Sequence, residues 1–117
     1  MTINHLNLIV TDVTRNVNFF ETYFNFKCEA VKGDNVLAVL KNTGDFTLVL
    51  MKGEEASYPK DFHIGFMVDS EEEVEAIHKK LLDGQINITR APGKIRNSFG
   101  FYFYFDNLFI EVGHYLN

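Results

Sequence analysis

Apolar and polar residues alternate along Ile3–Val10, with Leu6, Leu8 and Val10 on one side and His5, Asn7 and Ile9 on the other. That period of two predicts a half-buried strand. From Val13 to Phe24 the spacing lengthens, and Val13, Val17, Phe20 and Phe24 fall on one stripe of a helix, with Asp12 as its N-cap and Asn25 as its stop. Three short strands follow at Phe26–Val31, Val36–Lys41 and Phe46–Met51, separated by the turn-forming runs Gly33–Asn35 and Asn42–Asp45. The polar stretch 53–60, which contains Pro59, reads as a connector. The same order then begins again. Asp61–Val68 is a strand, Ser70 with Glu73 makes a capping box, and Val74, Ile77 and Leu81 stripe a helix that Gly84 ends. Strands near Ile86–Arg90, Ser98–Phe105 and Leu108–Gly113 complete the second half. The chain is thus one α+β domain of two βαβββ modules, 1–52 and 61–117, joined by the connector.

Three polar residues interrupt the apolar strands at related places. His5 opens the first strand of module one, His63 that of module two, and Glu111 lies in the last strand. Two imidazoles and a carboxylate at matching positions of two repeats point to one divalent-metal site, of the kind that Zn²⁺, Mn²⁺, Fe²⁺, Co²⁺ or Ni²⁺ occupies. Aligning Asp45 with Asp106 places the module-one counterpart of Glu111 at Leu50, which cannot ligate. The dipeptide Asp106–Asn107 suits a two-residue hairpin turn, which would pair Tyr102 with Glu111. Tyr102, Tyr104, Phe109 and Glu111 then share a mixed face fit to line a small-molecule pocket, while Phe101, Phe103, Phe105, Leu108 and Ile110 share an apolar face for a helix.

Composition narrows the classes. With 117 residues, 46% of them hydrophobic, the chain can bury a real core. A net charge of −5 argues against general nucleic-acid binding. The single cysteine, Cys28, reads as a small hydrophobe and fits a reducing cytoplasm. The N-terminus lacks a basic region followed by an apolar one, so no signal peptide is expected, and the longest apolar stretch, Phe99–Phe105, is far short of a membrane span. Against this acidity, Arg90, Lys94 and Arg96 cluster in the loop-like segment Thr89–Asn97, where they suit a substrate carboxylate or phosphate, although solubility alone explains them as well. Asn7 and Tyr102 are placed to hydrogen-bond a substrate. His78, beside Lys79 and Lys80, reads as solvated helix surface, and His114 as a tail or dimer contact.

With these residues assembled, the chain resembles the vicinal oxygen chelate superfamily, which includes glyoxalase I, extradiol dioxygenases, fosfomycin-resistance enzymes and bleomycin-binding proteins. The resemblance covers nearly the whole chain through Asn4-His5-Leu6-Asn7-Leu8 with Asp12, Phe19-Phe20 and Tyr23, His63-Ile64-Gly65-Phe66, and Phe101 to Glu111. It implies paired modules forming a cupped, mostly antiparallel sheet with the helices outside, and the family's ligands fall on His5, His63 and Glu111. With Leu50 at the fourth position, the set resembles the fosfomycin-modifying and extradiol enzymes more than glyoxalase I. The chain departs from the fosfomycin transferases in Asn7, where they carry threonine, and in the short Asp106–Asn107 turn. It departs from the extradiol enzymes in offering Ile95, Arg96 and Asn97 where they carry a histidine. The resemblance also implies a homodimer. Two functions follow: a metal-dependent enzyme acting on a small oxygen-rich molecule, or a metal-free protein that sequesters an aromatic or cationic drug on Tyr102, Tyr104 and Phe109, as bleomycin-resistance proteins do.

Overall fold

The structure, a computed structural model, describes residues 1–117 as two compact units, Met1–Ser57 and Tyr58–Asn117. The first contains β1 (His5–Val10), α1 (Val13–Tyr23), β2 (Lys27–Lys32), β3 (Leu37–Lys41) and β4 (Thr47–Lys52). The second contains β5 (Ile64–Met67), α2 (Glu71–Asp83), β6 (Gly93–Ile95), β7 (Ser98–Phe105) and β8 (Leu108–Tyr115). Each unit is a four-stranded sheet, in the order β1-β4-β3-β2 or β5-β8-β7-β6. In both, the first strand runs parallel to the last and the other pairings are antiparallel. This is the βαβββ module twice.

Local chemistry sets the helices. The Asp12 carboxylate accepts the Arg15 N–H at 3.0 Å, and α1 stops before Asn25, which takes a left-handed φ of 59°. Its buried stripe is Val13, Asn16, Phe19 and Phe20; Asn16 replaces Val17 because its amide folds back onto the Asp12 carbonyl at 2.8 Å. In α2 the Ser70 hydroxyl accepts from Glu73 N–H at 3.1 Å. Gly84 caps this helix, but the left-handed residue is the next one, Gln85, with φ of 64°. Gln85 donates to Leu82 and Ile86 to Leu81, the paired bonds of a Schellman ending.

That ending moves a strand. The expected strand at Ile86–Arg90 does not form. The Ile86 N–H is spent on the helix cap, and Pro92 has no N–H to offer a ladder. Pairing begins at Gly93, opposite Gly100, and Arg96 and Asn97 make the turn, with Arg96 at a left-handed φ of 54°. The segment read as loop therefore contains an edge strand.

Turn length also corrects one alignment. In β5–β8, Gly65 stands beside Glu111; in β1–β4, Asn7 stands beside Val49. With His5 matched to His63, Asn7 matches Gly65, so the counterpart of Glu111 is Val49 and not Leu50. Leu50 belongs to the helix-facing core, fully buried with Leu8, Ala38 and Leu40. Five residues, Asn42–Phe46, join β3 to β4, against two between β7 and β8, so equating Asp45 with Asp106 shifts the phase by one residue and inverts the face. Val49 is as incapable of ligating a metal as leucine.

In the second unit, α2 packs on β7 and β8 over Val74, Leu81, Phe101, Phe103, Phe105, Leu108, Ile110 and Val112, all buried. The opposite face of that sheet carries the polar and aromatic residues. No helix is long and apolar enough to cross a membrane.

Candidate functional site

The two-residue turn at Asp106–Asn107 fixes the β7–β8 register and puts Tyr102 directly opposite Glu111. Tyr102, Tyr104, Phe109 and Glu111 consequently share the open face. Phe109 stacks on Tyr104 with ring centroids 4.6 Å apart and on Tyr102 at 5.3 Å. His63 precedes the first paired residue of β5, and its ring stands edge-on to Tyr102 at 5.3 Å and to Phe109 at 5.7 Å.

The contact between His63 and Glu111 is the chemical centre of this face. His63 Nε2 lies 3.3 Å from Glu111 Oε1, and the side chains are 36% and 15% exposed. The other ring nitrogen, Nδ1, is 2.8 Å from the Asp61 carbonyl oxygen. A carbonyl can only accept, so Nδ1 carries a proton, and in the neutral ring Nε2 is left with its lone pair facing a carboxylate. Two acceptors at that separation repel unless a second ring proton or a cation lies between them. The Asp61 carbonyl orients the ring as the outer partner of a metal-binding histidine does. Asp61 takes a left-handed φ of 70°, a conformation that aspartate tolerates better than most residues. Imidazole nitrogen and carboxylate oxygen are both donor types that divalent transition metals accept.

The surroundings leave that carboxylate room. A methyl group at Gly65 would lie 3.3 Å from Glu111 Oε1, and one at Gly113 would lie 3.6 Å from Oε2. The Tyr102 phenol, opposite Glu111, has its pKa raised, first by burial and then by hydrogen bonding to, and the charge of, that carboxylate.

Beside the pair opens a cavity of about 1240 Å³, whose walls come entirely from the second unit. His63, Tyr102, Tyr104 and Phe109 line it on the sheet, and Arg90, Lys94 and Arg96 line it from the loop, β6 and the following turn. All five residues expected to bind substrate border one cavity. His5 and Asn7 are exposed on β1 of the first unit. No group of three His, Cys, Asp or Glu side chains gathers within the chain, so His63 and Glu111 stand as a pair.

Two histidines read as surface have structural partners. His78 is half-buried, with its ring edge-on to Phe101 at 4.9 Å and Nε2 3.2 Å from the Arg90 carbonyl. His114 lies within β8, not in a tail, and its Nδ1 is 2.9 Å from the Val68 carbonyl. Local periodicity gives no sign of partners so far along the chain.

The model of the Glyoxalase/Bleomycin resistance protein/Dioxygenase superfamily matches residues 2–109. The chain belongs to that superfamily. Its closeness extends to a solved structure described as a possible glyoxalase from Bacillus cereus, 40% identical, covering 96% of this chain and 97% of that one with a TM-score of 0.85. FosX, the genomically encoded fosfomycin resistance protein of Listeria monocytogenes, shares the superfamily fold at 21% identity and a TM-score of 0.79, covering 97% of this chain and 93% of its own. A curated relative, the "probable trivalent organoarsenical cleaving enzyme" of Bacillus subtilis (strain 168), is 36% identical over 83 residues, which is 68% of this chain. The chain spans about half the length of that relative (53%). Glu111 lies two positions beyond the stretch matched by the superfamily model.

Proposed function

We propose that this superfamily member is a divalent-metal-dependent enzyme acting on a small, oxygen-rich, anionic molecule. His63 and Glu111 hold the ion, and His5, exposed on the first unit and not gathered with them within the chain, is the further ligand this reading calls for. The observation that carries this reading is His63 Nε2 standing 3.3 Å from Glu111 Oε1 while Nδ1 is committed to the Asp61 carbonyl. A bound ion of this class supplies Lewis acidity, polarising a substrate oxygen and stabilising the negative charge that develops there. Arg90, Lys94 and Arg96 neutralise a substrate carboxylate, phosphate or phosphonate in the cavity they line. Tyr102, whose single O–H is engaged by Glu111, presents its phenol oxygen to the cavity as an acceptor, and Tyr104 and Phe109 give the substrate an apolar wall. Asn7 is a further hydrogen-bonding group on the first unit.

On the same fold, the E126Q variant of FosX holds Mn(II) and 1S,2S-dihydroxypropylphosphonic acid, a ligand both oxygen-rich and anionic. Cleavage of an organoarsenical is less well supported by the residues here, because trivalent arsenic is soft and favours thiolates. The chain has one cysteine, half-buried on β2 with Sγ 3.6 Å from the Ala30 carbonyl. The protein acts as a homodimer in the cytoplasm on this proposal.

Metal analysis of protein purified without chelators is the test, repeated on His63→Ala and Glu111→Ala. Stoichiometric metal in the wild type that is lost from both variants supports the enzyme. A metal-free wild type refutes it and favours a second reading, sequestration of an aromatic ligand. That alternative rests on the continuous stack of Tyr102, Phe109 and Tyr104, the last 62% exposed.

A further inference from the structure

The cationic side of the cavity is carried by a segment with little support of its own. The Ile86 N–H belongs to the cap of α2, and ladder pairing resumes only at Gly93. Between these anchors Asn87–Pro92 has no regular structure, and Arg90 sits near its middle, exposed and facing the cavity. An unsupported loop spends much of its time in conformations that would not present Arg90 together with Lys94 and Arg96. Binding an anion to it would first require that it be ordered.

The tie comes from α2. His78 Nε2 donates to the Arg90 carbonyl at 3.2 Å, a contact between residues twelve apart in sequence. The ring that makes it is itself fixed, since it stands edge-on, at 75°, to Phe101, which is 1% exposed. Phe101 is a core residue of β7, adjacent to Tyr102 on the open face. A chain of rigid groups thus runs from the sheet core through an imidazole to the backbone of the loop arginine.

We propose that His78 is a positioning residue: it holds the Arg90 loop in the conformation that lets Arg90, Lys94 and Arg96 converge on one anion. The inference rests on the reading of those three cations as the anion-binding part of the cavity. His78 touches neither the anion nor the His63–Glu111 pair. It acts through the Arg90 backbone, pre-ordering the loop and so raising affinity without adding a contact.

Inorganic phosphate, titrated into the full chain while the amide resonances of Arg90, Lys94 and Arg96 are followed by NMR, tests this. His78→Phe keeps a ring against Phe101 and removes the donor, whereas His78→Gln restores an N–H near the place of Nε2. Losing one such hydrogen bond should weaken phosphate binding by about three- to tenfold and speed amide exchange across 87–91. His78→Gln should recover most of both, and the melting temperature of His78→Phe should stay close to that of wild type. Equal phosphate affinity in wild type and His78→Phe overturns the role of His78 and leaves the anion site standing. No phosphate-induced shift at the three cations in the wild type refutes the anion site, and the positioning role with it.

Discussion

Gly65→Ala separates binding from folding at the His63–Glu111 pair. The added Cβ would sit 3.3 Å from Glu111 Oε1 and 3.8 Å from Glu111 Cβ, so the carboxylate must give by a few tenths of an ångström. The contact is with the far end of a flexible side chain, and Gly65 has no positive φ, so the backbone accepts alanine. Replacing a glycine in compatible backbone stabilises a fold by about 0.4–1 kcal/mol through the unfolded chain, which offsets the crowding. A metal site is less forgiving, because ligand distances must hold to within about 0.2 Å. Disturbing the setting of a ligand typically lowers metal affinity by about 10–100-fold, or roughly 1.4–2.7 kcal/mol. The expected result is therefore a melting temperature equal to or above that of wild type, with Mn(II) binding at least tenfold weaker by calorimetry. Gly93→Ala is the control, since nothing lies within 4 Å of its added Cβ. Unchanged Mn(II) affinity in Gly65→Ala, beside a wild type that binds, would show that Glu111 does not ligate from its present position.

Gly100→Ala should destabilise by at least about 2–3 kcal/mol in urea titration, because its Cβ collides with the Val112 carbonyl and the Gly113 backbone, which cannot swing aside. Asp12→Ala removes the acceptor for Arg15 N–H and should cost about 1 kcal/mol, again read from urea midpoints. Tyr102 has a raised folded-state pKa, so its phenol keeps its proton after the unfolded chain has lost it. Its contribution is thus complete below about pH 10 and is lost as pH rises beyond. Glu111→Gln should move the Tyr102 titration downward in NMR of ring-labelled protein, because it removes the carboxylate charge and leaves burial as the main cause of the shift. Sedimentation at micromolar concentration should give a dimer; a monomer removes that part of the proposal.

The strands and helices were legible wherever a local device specified them. Asp12 and Ser70 announced their helices, and Asp106–Asn107 announced a register that placed Tyr102 opposite Glu111. Reading went wrong where one residue of phase was decided elsewhere. Gln85, and not Gly84, took the left-handed turn, and the strand assigned to Ile86–Arg90 was displaced beyond Pro92. The five-residue connection between β3 and β4 exchanged Val49 for Leu50 as the counterpart of Glu111. At the site, residue type and strand face pointed to His63, Glu111 and the aromatic wall. The partners of His78 and His114 depend on chain reversals that no period of two or four records.

The parallel seam between β5 and β8 has a consequence for how the second unit assembles. It joins stretches on the order of those bridged by His114 and Val68, 46 positions apart, with α2 and the β6–β7 hairpin enclosed in the loop. Closure across so long an interval is entropically the slowest kind of contact to make and the natural place for the fold to reopen. His63 and Glu111 lie on either side of that seam. An ion gripped by both would act as a clasp on it, so loading with metal should retard amide exchange along Ile64–Met67 more than anywhere in α2.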